Sequence, residues 1–333
     1  MTDATPNPIR YYAKELIKYI PKEAYKPATY KLLYMLIHVG IVFSMIGLLS
    51  EFSSVWMLAL ASILSGISVA CLFLYCHELS HGTIVRAQPW YYISKLIFWS
   101  FSGIPPTMWK KVHNLSHHRH MNTYNDPDRK TFKSEDSILN RLYNIFIYPN
   151  RILRYSFTVG FAMMFYSVKH TLAVYYLEGS KPELVTYRPK YSLKDKVIIF
   201  FEYFFQVAFW FSIIYIIGGW NGWLFAICTW YIYSSLVILF IITQHLRNDV
   251  FIDTADPLLT TTSVIIPVWL DKLIDWHSYH VEHHLFPGIN FDYYKEISNH
   301  IERKYPNRYN RIPLLQALKE CFQKDIMIDD PLL

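Results

Sequence analysis

The sequence predicts an all-α integral membrane protein: four transmembrane helices in two hairpins, with a cytosolic helical cap. Three observations predict it. Uncharged runs about as long as a bilayer is thick occur as two close pairs. The links within each pair carry no Lys or Arg. The remaining segments carry all 32 of the positive side chains.

Residues 32–50 form a run of 19 uncharged residues, and residues 55–76 a run of 22. As a helix the first spans about 28 Å, close to the thickness of the hydrocarbon layer. The second pair is 197–217 and 223–243, joined by the predicted turn Gly218-Gly219-Trp220-Asn221-Gly222, with Glu202 its one charge. Unpaired backbone groups are too unfavourable in lipid for these runs to be anything but helix. All Lys and Arg fall in 1–31, 86–196 or 247–333. The positive-inside rule assigns these segments, and so both termini, to the cytosol. Trp56, Trp220 and Trp223 then sit at the opposite interface, where aromatic belts form.

Residues 92–108 and 143–172 are apolar but interrupted by Pro105-Pro106 and Pro149, and the second is charged by Arg151, Arg154 and Lys169. They read as interfacial or re-entrant helices. The expected division is a cytosolic N-terminal segment (1–31), hairpin 1 (32–76), a cytosolic and interfacial region (77–196), hairpin 2 (197–243), and a cytosolic region with the tail (244–333). The net charge of +6 is explained by this topology and calls for no nucleic acid. Four cysteines without a CxxC pair argue against a disulfide framework and suit a reducing compartment. Residues 1–31 lack the apolar core of a signal peptide.

Of 14 histidines, four groups stand out: His77-Glu-Leu-Ser-His81, His113-Asn-Leu-Ser-His117-His118, the single His245, and His280-Val-Glu-His283-His284. On a helix, residues three or four apart share a face, so His77 faces with His81, His113 with His117, and His280 with His283 and His284. His77 and His245 directly follow the second and fourth spans, which brings all four groups to one level. One HxxxH pair is commonly a plain surface or core pair; the whole set together is a metal site. Nine imidazoles exceed the needs of one ion, and two ions with four or five ligands each use them. Imidazole suits iron, copper, zinc and nickel, so ligand type leaves the metal open. His120 and His277 lie beside the boxes as outer partners rather than ligands. His38 and His170 are interfacial or structural, and His300 is a solvated tail residue. Metal-bound histidine needs an outer partner to fix its tautomer. Glu78, Asp126, Asp128, Asp275 and Glu282 are the candidates.

These boxes, in this order, resemble the membrane fatty acid desaturase family, which includes related hydroxylases and ketolases. The resemblance runs from about residue 20 to 305 and includes Ile20-Pro21-Lys22-Glu23-Ala24-Tyr25 before the first span. The third box with its Leu285-Phe286-Pro287 extension is its most specific part. It implies a di-iron centre that uses O2 to remove hydrogens from a methylene pair of a lipid chain. Carried over residue by residue, the ligands are His77, His81, His113, His117, His118, His245, His280, His283 and His284. Breaking an unactivated C–H bond requires a redox-active metal, which zinc is not. The implied partners are a fatty acyl lipid and a separate electron donor of ferredoxin or cytochrome b5 type, since no fused cytochrome b5 domain is visible. The location would be a bacterial inner membrane or an endoplasmic reticulum. Stearoyl-type acyl-CoA desaturases carry Asn four residues before the fourth-span histidine; Ile241 stands here, with Asn248 a possible substitute. Front-end desaturases carry Gln where His280 stands. The closest look is to acyl-lipid desaturases.

Three rivals remain. A lipid or carotenoid hydroxylase or ketolase would share the boxes. An intramembrane zinc metalloprotease would use the first box as HExxH with Glu78 as base, leaving the other histidine boxes without a role. A histidine-rich metal transporter would need ionisable residues lining the spans, and apart from Glu202 and His38 these lack them.

Overall fold

The computed structural model of the chain describes residues 8–123, 125–128, 159–175, 189–248 and 256–323. Most of the predicted interfacial stretch before residue 159 and the last ten residues of the tail lie outside the described residues. The N-terminal part begins with α1 (Pro8–Leu16). Then come α2 (Lys31–Glu51) and α3 (Val55–Ser80), linked by three residues and packed together. The hydroxyl of Ser54 accepts from the Met57 amide at 3.2 Å and so caps α3. After α4 (Trp90–Ser102), Gly103 takes a left-handed turn at φ 61°. α5 (Pro106–Trp109) runs on into a π-helical turn (Lys110–His117) and the short α6 (His118–His120). α7 (Val159–Tyr175) follows.

The second long pair is α8 (Leu193–Ile217) and α9 (Gly219–Ile241), and α9 ends in another π turn (Ile242–Leu246). Ser192 and Asp195 form a reciprocal capping box at the start of α8. The predicted five-residue turn between these helices is tighter in the structure: Gly218 and Gly219 bend the chain at φ 79° and 52°, and α9 begins at Gly219. Gly222 makes this possible, because a Cβ there would lie 2.3 Å from the Ile214 carbonyl oxygen. Four described helices, α2, α3, α8 and α9 with its π turn, are long and apolar enough to cross a membrane. α4 falls short of that length, and α7 is described over 17 residues.

α3 is the hub, packed against α2, α4 and α9, while α9 is also covered by α7. Around α3 sit edge-to-face rings: Phe73 meets Trp99 at 5.6 Å and Trp109 at 5.3 Å. Small residues let the helices approach: a Cβ on Gly66 would lie 2.7 Å from the Ile232 side chain. The polar end of the bundle carries a layer of short elements: α10 (Pro257–Thr260), α11 (Val268–Leu273), α12 (His280–Leu285), α13 (Tyr294–Lys304) and α14 (Leu314–Gln323). Two three-residue strands, β1 (Ser263–Ile265) and β2 (Arg311–Pro313), pair in parallel and are the one departure from all-α among the described residues. A second small core, including Leu16, Val281, Leu285 and Ile301, ties α1 to α12 and α13. This layer presses α12 onto the ends of α3 and α9.

Candidate metal centre

The structure sorts the nine predicted histidines into two groups at the polar end of the bundle. Ring nitrogens of His77, His81, His113, His118 and His283 lie within 4.8 Å of one another, and so do those of His117, His245 and His284. His280 joins the second group: its Nε2 is 2.6 Å from His245 Nε2 and 3.2 Å from His284 Nε2. In the first group His77 Nε2 is 2.8 Å from His113 Nε2, and His283 Nε2 is 3.1 Å from His118 Nε2.

Two of these spacings, 3.1 and 3.2 Å, match those of ligands on one ion, and the other two, 2.8 and 2.6 Å, are a few tenths of an ångström shorter. Two imidazole nitrogens about 2.1 Å from one ion, at angles between 90° and tetrahedral, lie roughly 3.0–3.4 Å apart. Hydrogen bonding is a poorer account. A neutral ring nitrogen either donates one proton or accepts on one lone pair, so His280 Nε2 cannot serve both of its close neighbours well. The buried Nε2 atoms of His81 and His117 have no hydrogen-bond partner. Convergent lone pairs around a cation satisfy all of these atoms together.

The local backbone explains the sorting. His77 ends α3 and His81 caps it, one turn apart, so both enter the first group. The sequence reading pairs His113 with His117, and these two do lie together, their ligand atoms within 4.8 Å of each other and of Asp128, but His113 also has a second neighbour. A π turn closes i to i+5 rather than i to i+4, so His113 shares the first group with His118. His117 turns to the second group, although its ring stacks on His113 at 4.9 Å. In α12, His280 and His284 share one face and His283 takes the other, so that box too is divided. The second π turn carries His245.

Outer partners are also divided. His117 Nδ1 meets Asp126 at 2.8 and 3.0 Å, and His113 Nδ1 meets Asp128 at 3.3 Å. Asp126 is itself held by the amides of Asn122 and Asp128 at 2.7 and 2.9 Å. Tyr294, which the sequence did not single out, places its hydroxyl 3.4 Å from His283 Nδ1 and donates to the Phe286 carbonyl. The other three candidates serve elsewhere. Glu78 and Asp275 converge on Lys31, at 3.0 and 2.7 Å, and Glu282 accepts from Ser263 and Tyr309. Lys31 was counted only as a flanking charge; its burial at 1% exposure makes it the centre of an ion cluster beneath the site. With its carboxylate on Lys31, Glu78 is not placed as the base of a zinc protease.

Burial, followed by the mutual repulsion of neighbouring rings, holds His113, His118, His280, His283 and His284 well below the usual imidazole range. Burial alone lowers His81 to about 3. These rings are therefore neutral at pH 7 and offer lone pairs. His117 differs: burial lowers it, but the Asp126 carboxylate outweighs burial and lifts it to about 8.

Asn248 does not substitute for the missing asparagine. Its carboxamide is occupied by Gln244, Thr262 and Asn310. Ile241 instead lines a narrow, mostly apolar cavity that is also lined by His77, His113, His117, His245 and His280, with Asn122, Asp126 and Asp128. Its other walls include Phe73, Trp109, Ala162, Met163 and Ile238. His277 also lines it, buried with its ring 5.0 Å from His77 and held near 4 by burial. His120 lies outside both groups. His170 packs on Tyr166 at 4.4 Å, and His300, expected to be solvated, stacks on Tyr19 at 4.1 Å.

A family model described as "Fatty acid desaturase" matches residues 53–313. The chain belongs to the fatty acid desaturase family. Membership makes it a membrane oxidoreductase of the desaturase and hydroxylase type, and the match takes in both long helical pairs but for α2, and every histidine of the two groups. No curated protein matches the chain.

Proposed function

We propose that the chain desaturates a fatty acyl chain carried on a membrane lipid, with O2 as co-substrate and two iron ions held by histidine. The carrying observation is the mostly apolar cavity lined in part by histidines of both groups. Hydrocarbon placed there meets the metal centre without passing through water. One ion would be held by His77, His81, His113, His118 and His283, the other by His117, His245, His280 and His284.

Bound iron supplies the redox capacity to use O2 against a C–H bond. The chain's own residues do the rest. Phe73, Trp109, Met163 and Ile238 position the acyl chain by contact and exclude water, which limits side reactions. Asp126 and Asp128 fix the orientation of His117 and His113. In the net reaction two hydrogens leave adjacent carbons, and O2 with two electrons and two protons becomes two waters. The electrons come from a separate donor of ferredoxin or cytochrome b5 type. Ile241 in place of asparagine favours a lipid-bound acyl chain over acyl-CoA. The distribution of Lys and Arg supports a multi-pass topology with both termini in the cytosol, in a bacterial inner membrane or an endoplasmic reticulum.

The test is expression in a host that lacks the corresponding unsaturated lipids, followed by mass spectrometry of intact lipids. Loss of two hydrogens from a phospholipid acyl chain is expected. Gain of an oxygen atom would assign a hydroxylase or ketolase instead, and an unchanged lipid profile with peptide cleavage would assign a protease.

A further inference from the structure

A second cavity of about 620 Å³, which shares no lining residue with the acyl cavity, lies between α2, Tyr75 and the loop after α11. Its two ends differ in chemistry. At the polar end stand Lys31, Lys272, Asp275 and Asp292, with the rings of Tyr30, Trp269 and Trp276. Further along α2 the wall becomes Tyr34, Ile37, His38 and Ile41. From Lys31 to Ile41 the helix rises about 15 Å, half the thickness of a hydrocarbon layer. The cavity therefore has the length of one leaflet, charged at headgroup level and mostly apolar below.

Its polar end is incompletely satisfied. Three carboxyl groups, those of Glu78, Asp275 and Asp292, converge on the single ammonium of Lys31. Asp275 is 4% exposed; its Oδ1 meets Lys31 at 2.7 Å, and its Oδ2 has no hydrogen-bond partner. Deeper, His38 is 8% exposed and its Nδ1 also lacks a partner. Asp275 and Trp276 both adopt positive φ, 55° and 57°. Two successive non-glycine residues in this region are unfavourable and mark positions held for a purpose. The bend sets an acid beside a Trp ring at the mouth of an aromatic-lined pocket, and carboxylate with aromatic faces is the environment that attracts an alkylammonium. Lys272 at the rim supplies the opposite charge for a phosphate.

The geometry points to a binding site for one zwitterionic phospholipid: its ammonium group at Asp275 and the surrounding rings, its phosphate at Lys272, and an acyl chain along Ile37 and Ile41. This site is separate from the acyl cavity and does not depend on the proposed reaction. Through Lys31 and Glu78 it adjoins His77, so its occupancy supports the end of α3 that presents the first histidine group.

Native mass spectrometry of the delipidated full-length protein, equilibrated with dioleoyl phosphatidylcholine or dioleoyl phosphatidylglycerol, tests it without O2 or an electron donor. One phosphatidylcholine retained per chain is expected, with retention of phosphatidylglycerol at least tenfold lower. Ile41→Trp, which fills the apolar half, should reduce phosphatidylcholine retention about tenfold at an unchanged melting temperature, and Asp275→Asn, which also removes a buried partner of Lys31, should reduce it about tenfold with a lower melting temperature. If Asp275→Asn unfolds, Ile37→Trp replaces it as the second variant. Equal retention of the two lipids would overturn headgroup recognition. Unchanged retention in Ile41→Trp, or tight binding of glycerophosphocholine alone, would overturn the site as a lipid slot.

Discussion

Replacing Asp126 by Asn should loosen one metal ion and leave the other in place. The Asp126 carboxylate meets His117 Nδ1 at 2.8 and 3.0 Å and is buried at 2% exposure. Asn preserves the shape, and its oxygen can still accept one bond, but the charge is gone. A hydrogen bond to a charged group contributes about 1.5–3 kcal/mol. Loss of an outer partner of a metal-bound histidine typically weakens metal affinity ten- to a hundredfold, or about 1.4–2.7 kcal/mol. The two ranges agree. His117 belongs to the group with His245, His280 and His284, so the loss should fall on that ion alone. The assay is iron content per chain during titration with a competing chelator. Wild type should release its two ions at similar chelator concentrations, and Asp126→Asn should release one of them ten- to a hundredfold earlier. His81→Ala, on the other group, should shift the other ion. Equal loosening of both ions by each substitution would refute the division into two groups, and no loosening by Asp126→Asn would refute the role of the carboxylate.

Other predictions concern the frame. Lys31→Met leaves Glu78 and Asp275 buried without their counter-charge and should destabilise the protein by about 3–5 kcal/mol; adding Glu78→Gln should recover part of it, as thermal unfolding in detergent will show. Gly222→Val drives a side chain into the Ile214 carbonyl and should lower stability by about 1–3 kcal/mol, whereas Gly47→Val, with open space around it, should change the melting temperature little. Burial raises the carboxyl of Asp271 to about 6, above its ordinary 3.8, against the opposing hydrogen bond from Ser278. A folded pKa above the unfolded one means that the folded state binds the proton more tightly. Asp271 therefore imposes no penalty below pH 3.8, and its penalty grows to about 3 kcal/mol by pH 6 and above. Stability measured between pH 4 and 6 should fall less steeply in Asp271→Asn than in wild type.

The helices long and apolar enough to cross a membrane and the side chains that gather were legible in the sequence because both signals are local. A charge-free run of 19 residues needs no partner to be recognised, and two histidines a turn apart declare a shared face. What stayed hidden depends on contacts distant in sequence or on small departures from helical geometry. His117 and His118 are neighbours, and the π turn brings His118 beside His113 while His117 also reaches His245 and His284. Asp126 and Asp275 looked alike as acids beside histidines, yet one holds an imidazole and the other holds Lys31, 244 residues earlier in the chain. Asn248 looked free to reach the metal, but Thr262 and Asn310 occupy it from the residues just before the two short strands, which periodicity did not reveal. The tight bend at Gly218 was read as five residues because the near contact of Gly222 with Ile214 exists only once the two helices pack.

The π turn at Lys110–His117 also makes the site sensitive to chain length. Such a turn is an α-helix holding one residue more than its hydrogen-bond ladder needs. Removing a single codon between His113 and His117, Leu115 for example, would let the segment relax to ordinary α geometry. His113 and His118 would then stand four residues apart with no bulge between them, and His117 would lose the offset that carries it to the second group. A one-residue deletion on an exposed stretch of helix is usually absorbed by fraying. Here it would redistribute the proposed ligands while leaving every histidine in the gene.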